Sequence, residues 1–125
     1  MKTVIQLEGL GLLLLSSFLY FNFFNGSWLF YLSLFFVPDV TFLFYLLSNK
    51  VGGFFYNLFH HQGLIALLVL LGLYFNNEMV IKVGLIFLSH SFFDRAAGYG
   101  LKYFDSFYHT HLGWIGKKKE DLPSN

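Results

Sequence analysis

Residues 27–48 read SWLFYLSLFFVPDVTFLFYLLS, an apolar run broken only by one proline, Pro38, and one charge, Asp39. Crossing a bilayer core takes a helix of roughly 20 apolar residues. The run therefore reads as a membrane span, kinked where Pro38 removes a backbone hydrogen bond. Three further runs of the same kind flank it, over residues 4–24, 54–75 and 79–101. The breaks between them are short and polar: Asn25-Gly26-Ser27, Asn49-Lys50-Val51-Gly52-Gly53 and Asn76-Asn77-Glu78. Such turns join antiparallel neighbours. The pattern predicts an all-α fold, a transmembrane four-helix up-and-down bundle. A membrane barrel would instead show alternating segments of about ten residues.

Composition agrees. Of 125 residues, 56% are hydrophobic and 12% charged, and 18 are Phe. A soluble domain of this size has too much surface for its volume to hide so much apolar area. A net charge of +1 gives no basic face for nucleic acid. With no Cys, disulfides and thiolate sites are excluded. One domain is expected over residues 1–116, with an aromatic interfacial segment at 103–116 and a basic and polar tail at 117–125. Residues 4–24 are not expected to be a cleaved leader, because no small-residue cleavage site follows them and Glu8 sits near their start. Lys2, Lys50 and Lys102, with Lys117, Lys118 and Lys119, all fall on one side of a four-span chain. The positive-inside rule makes that side cytoplasmic, with both termini there, in a cell membrane. The three final lysines are expected to touch anionic lipid.

Charged groups inside a span cost several kcal/mol and mark function by default. Here they are Glu8, Asp39, His60, His61, His90, Asp94 and Arg95. At 1.5 Å per residue, Asp39 lies roughly 14 Å deep, His60 roughly 9 Å and Asp94 roughly 10 Å. Spans one and three begin on the side where spans two and four end, so all seven occupy the same half of the membrane. His90 and Asp94 are spaced i, i+4 and share a helix face. His60 and His61 are about 100° apart around the helix, so only one is expected inward. Gly84, Ser91 and Gly98 form a small-residue stripe for close helix packing. Plainer readings stand beside these. Asp94 and Arg95 would neutralise each other, His60 or His61 would only bond a neighbouring helix, and His109 and His111 would be ordinary interfacial histidines.

Certain elements are more specific. Leu7-Glu8-Gly9, Pro38-Asp39, Tyr56-Asn57-Leu58 with His60, Ser89-His90 with Asp94-Arg95, Gly98-Tyr99-Gly100-Leu101-Lys102-Tyr103 and Thr110-His111-Leu112-Gly113 occur in that order. Together they resemble the domain of unknown function 4260 family of small multi-pass membrane proteins, along nearly the whole chain. The resemblance implies membrane spans and supplies no activity. A second likeness is to bacterial membrane-bound metal-dependent hydrolases, which carry Pro-Asp, a histidine and Ser-His-x-x-x-Asp in successive spans. It implies a metal site.

Three functions follow. In the first, Asp39, His60, His90 and Asp94 hold a divalent ion, zinc or manganese. The ion activates water for hydrolysis of a lipid or lipid-linked substrate. Glu8 or His111 then serves as base or acid, and Arg95 holds an anionic headgroup. In the second, the same residues line a proton or ion relay, a transporter or an accessory subunit, expected to be a homo-oligomer. In the third, His60 and His90 are axial ligands of a haem, which the unequal depth of the two disfavours. A structural cluster that only fixes helix packing is the remaining reading.

Overall fold

The computed structural model describes residues 1–116. The expected lipid contact of Lys117, Lys118 and Lys119 lies outside them. Helix α1 spans Lys2–Phe18 and runs on through one widened π-turn, Leu19–Phe23. Helix α2 spans Trp28–Phe35, and a 3-10 segment, Val37–Leu46, continues it. Helices α3 (Asn49–His60), α4 (Gln62–Tyr74) and α5 (Glu78–Ala96) follow. The chain is all-α up to a small antiparallel hairpin of β1 (His109–Thr110) and β2 (Gly113–Trp114).

Two helices are long and apolar enough to cross a membrane, Lys2–Phe23 and Trp28–Leu46. A third is added if α3 and α4, bent by 43° at their junction, count as one span. Helix α5 does not join that set, since it carries Glu78, Lys82, Asp94 and Arg95. It is instead the most enclosed element, packed chiefly against α1 and α4. The helix expected over 79–101 also stops early, at Ala96. Gly98, at φ +93°, reverses the chain: the Gly98 N–H donates to the Arg95 carbonyl and the Tyr99 N–H to the Asp94 carbonyl. Only a residue free of a Cβ adopts that turn at no cost, so Gly98 ends the helix, and it also lies close to α1, where a Cβ would sit 3.1 Å from Lys2 Cε. Gly84 does serve close packing, because a Cβ there would sit 2.5 Å from Val69 Cγ2.

Two departures from regular helix shape the site. Pro38 opens the 3-10 segment, and Thr41 Oγ1 donates to its carbonyl at 2.7 Å. The third expected span breaks at His61, whose backbone is extended. His61 Nδ1 accepts from the Leu64 N–H at 3.1 Å and so caps α4. Ser91 Oγ reaches across from α5 and donates to the His60 carbonyl at 2.7 Å. Both breaks thus have a carbonyl beside them taken up by a hydroxyl, as buried backbone groups require.

The distribution of polarity is reversed relative to a water-soluble protein. Leu29, Leu46 and Phe75 are 79%, 85% and 70% exposed, while His60, His90, Ser89 and Ser91 are buried. Apolar outer faces around a polar interior are consistent with lipid as the surrounding solvent. Helix α1 meets α5 closely at Gly9, where a Cβ would lie 2.8 Å from Arg95 Cβ.

Candidate metal centre

Four side chains from three elements converge. The 3-10 segment supplies Asp39, directly after the proline. Helix α3 supplies His60, its last residue before the break. Helix α5 supplies His90 and Asp94, one turn apart. One ligand atom from each lies within 4.8 Å of every other. His60 Nε2 stands 3.2 Å from His90 Nε2, 3.3 Å from Asp39 Oδ1 and 3.4 Å from Asp94 Oδ2. His90 Nε2 stands 3.1 Å from Asp39 Oδ1 and 3.3 Å from Asp94 Oδ2. Ligands at zinc-like bond lengths around a tetrahedral ion are separated by about 3.3 Å. Five edges of the figure therefore have the dimensions of a coordination shell.

The tautomers sharpen this. His60 Nδ1 lies 2.8 Å from the Tyr56 carbonyl oxygen, which can only accept. The ring proton of neutral His60 therefore sits on Nδ1, and the Nε2 lone pair points into the cluster. There it meets a second imidazole nitrogen and two carboxylates. The two Nε2 atoms are too close for each to carry a proton between them, so either one proton or a metal ion can bridge them. A backbone carbonyl fixing the distal nitrogen is the usual support of a metal-binding histidine. His90 lacks that support: its buried Nδ1 has no hydrogen-bond partner among the described residues. It is held instead edge-on to the rings of Phe35 and Phe36. Tyr56 stacks on the His60 ring at 3.8 Å and directs its hydroxyl to Asp94 Oδ2 at 3.4 Å. The haem reading fails here, since nitrogens this close leave no room for a porphyrin plane between them.

Asp39, His90 and Asp94 open onto a cavity of about 350 Å³, walled by Phe36, Phe42, Phe93 and Phe107 and including Tyr56 and Lys102. The other three predicted site residues are elsewhere. Glu8, Arg95 and His111 line a second cavity of about 240 Å³, with Gln62. Arg95 follows Asp94 directly and so faces about 100° away around α5. No ion pair joins the two among the described residues, and Arg95 donates to the Tyr99 carbonyl at 3.0 Å. His111 Nδ1 accepts from the Leu101 N–H at 2.8 Å. Burial first, and the Arg95 charge second, lower the His111 pKa below its ordinary value. His61 is exposed, so of the adjacent pair only His60 faces inward. His109 lies 2.9 Å from both Asp105 carboxylate oxygens and stacks on Trp114, apart from the cluster.

Lys102 is the site residue that sequence reasoning missed. It reads as a topology marker beyond the last span, yet it is only 5% exposed. Asn57 explains this: its Nδ2 donates to the Lys102 carbonyl at 2.7 Å and its Oδ1 accepts from the Lys102 N–H at 2.6 Å. The only available signal was Asn57, one turn before His61 in an apolar run.

Residues 2–115 match the family described as Domain of unknown function (DUF4260). The chain belongs to this family. No curated protein and no solved structure matches it. Membership carries no activity, so the DUF4260 site has to be interpreted from its own chemistry.

Proposed function

We propose that this DUF4260 protein is an intramembrane metalloprotein that hydrolyses a lipid or lipid-linked substrate, with Asp39, His60, His90 and Asp94 as ligands of one divalent ion. The observation that carries it is the convergence of two imidazole nitrogens and two carboxylates, each Nε2 within 3.1–3.4 Å of the other three groups, with the His60 Nδ1 bonded to a carbonyl so that Nε2 is free for coordination. Nitrogen and oxygen donors in this mixture suit zinc or manganese. An ion held by these four residues would supply an activated water and would polarise the bond to be cut. In hydrolysis the water oxygen bonds to the electrophilic centre, the ester bond breaks, and a water proton ends on the leaving oxygen. The chain's own residues orient and enclose: the aromatic walls exclude bulk water, and the two carboxylates face the cavity where substrate enters.

The same reading takes the chain as four crossings, with α3 and α4 as one bent span and α5 as a central span shielded from lipid by the others. Both termini then lie on the cytoplasmic side of the cell membrane, where the final lysines meet anionic lipid. A second reading, a proton relay, is favoured by the 3.2 Å separation of the two Nε2 atoms, which suits a shared proton. Elemental analysis of the protein in mild detergent, beside an Asp39→Ala variant, separates the two. About one metal per wild-type chain, lost in the variant, supports the metal site. No metal in either, after soaking with zinc and manganese, leaves the relay.

A further inference from the structure

The Lys102 ammonium is buried beside the proposed metal centre with no carboxylate of its own. It forms no ion pair among the described residues. Its Nζ instead lies 4.0 Å from the Phe107 ring centroid and 4.9 Å from that of Tyr56, a cation held by aromatic faces. It lines the same cavity as Asp39, His90 and Asp94. Without a metal, two carboxylates and one ammonium leave the cavity one negative charge. A divalent ion reverses that to one positive charge, which an anionic ligand would neutralise.

An apolar groove adjoins the cavity. Phe36 and Phe93 are shared with a neighbouring groove of about 360 Å³, lined almost wholly by apolar side chains of α1, α2 and α5. It includes the exposed Leu14 and Leu32 on the outer surface. A ligand with its head between Lys102 and the four ligands can therefore lay a chain past Phe36 and Phe93 toward lipid.

Resting on the metal-centre reading, we infer that the substrate is a phosphate-bearing amphiphile: Lys102 holds the phosphate against the metal centre and the groove beyond Phe36 and Phe93 takes its alkyl chain. Phosphate is chosen over other anions because lysine binds it as a point charge and a divalent ion polarises a phosphoryl oxygen. Hydrolysis would join the water oxygen to phosphorus and release the alcohol carrying a water proton. Lys102 is a substrate-binding residue in this scheme and contributes no ligand to the ion.

The test uses the full chain in detergent, with metal content and binding of dodecyl phosphate measured on wild type, Lys102→Gln and Lys102→Arg. Dodecanol, dodecanoate and inorganic phosphate are the comparison probes. The expected result is equal metal in all three proteins, with dodecyl phosphate bound about tenfold or more weakly by Lys102→Gln, as loss of a charged hydrogen bond implies. Lys102→Arg should restore most of the affinity, dodecanol should not distinguish the variants, and inorganic phosphate should bind far more weakly than dodecyl phosphate. Equal binding by wild type and Lys102→Gln, with metal present in both, overturns the inference and leaves the metal centre standing. Dodecanoate binding as tightly as dodecyl phosphate overturns the phosphate assignment. Wild type without metal overturns the centre itself, and this inference with it.

Discussion

Replacing His90 by Ala is the sharpest test of the four-ligand geometry. Of the two histidines, His90 is the one with fewer hydrogen bonds outside the cluster. Its Nδ1 has no hydrogen-bond partner among the described residues, so truncation deletes a donor without stranding a partner there. By contrast, His60 also anchors its ring to the Tyr56 carbonyl, so its loss would disturb the end of α3. Four-ligand zinc sites bind with about 10–16 kcal/mol in all, so one ligand accounts for roughly 3 kcal/mol. At 1.4 kcal/mol per factor of ten, His90→Ala should weaken binding by about a hundredfold or more. Truncation also leaves a gap beside Phe35 and Phe36, and the unmet Nδ1 disappears with it, so the stability loss should be smaller than the affinity loss. Competition against a chromophoric chelator reads the affinity, and chelator-free thermal unfolding reads the stability. Tyr56→Phe is the control: the hydroxyl is 3.4 Å from Asp94 Oδ2, at the limit of a hydrogen bond, so affinity should change less than tenfold. If His90→Ala retained full stoichiometry with a dissociation constant within threefold of wild type, the assignment of His90 as a ligand would be refuted.

Other expectations follow from the same contacts. Ser91→Ala leaves the buried His60 carbonyl without its hydroxyl donor and should cost about 1–3 kcal/mol of stability, read by thermal unfolding, with weaker metal binding as His60 loosens. Gly9→Leu forces α1 away from Arg95, against which even a Cβ would press at 2.8 Å, and should lower the unfolding temperature more than Gly11→Leu, where a Cβ meets nothing within 4 Å. Burial pushes the Lys102 ammonium down to about 8 from its ordinary 10.5, against the opposing charges of Asp94 and Asp39. The unfolded chain then binds more protons at Lys102 between these values, so this group contributes stability to the metal-free protein that rises with pH from about 8 to 10.5, and Lys102→Met should remove that contribution. Anion binding at Lys102 should move oppositely and fall as pH rises and the ammonium is lost.

Much of the candidate metal centre is legible in the sequence because charge is so costly in an apolar run. Asp39, His60, His90 and Asp94 stand out against their surroundings, and the i, i+4 spacing places the last two on one face before any coordinates are known. What the pattern cannot give is the azimuth of each helix. Glu8 and Arg95 sit at suitable depth yet turn to the second cavity, because depth along an axis does not fix rotation about it. The break at His61 was equally hidden, since histidine is not a usual helix cap and the apolar run continues through it. Lys102 needed two facts that hydropathy does not carry, the reversal at Gly98 and the two-bond clamp from Asn57.

The breaks are what allow the site to exist. A continuous second helix would have to offer Asp39 from a cylinder that Pro38 already prevents from closing its hydrogen bonds. Tightening into 3-10 geometry carries the segment onward, and Thr41 takes up the Pro38 carbonyl. On the third span, ending α3 at His60 lets that ring drop to the centre of the cluster while α4 departs at 43°. The carbonyl beside the break is then claimed by Ser91, one residue after His90, so the hydroxyl that repairs α3 shares a helix with two members of the cluster. Backbone irregularity inside a membrane is tolerated where it borders a polar cavity. Here both irregular points supply a side chain to the same cluster, Asp39 from one and His60 from the other. A variant that straightened either break, such as Pro38→Ala with its 3-10 segment returned to α-helix, would therefore be expected to move Asp39 off the common point and lose metal without losing the span.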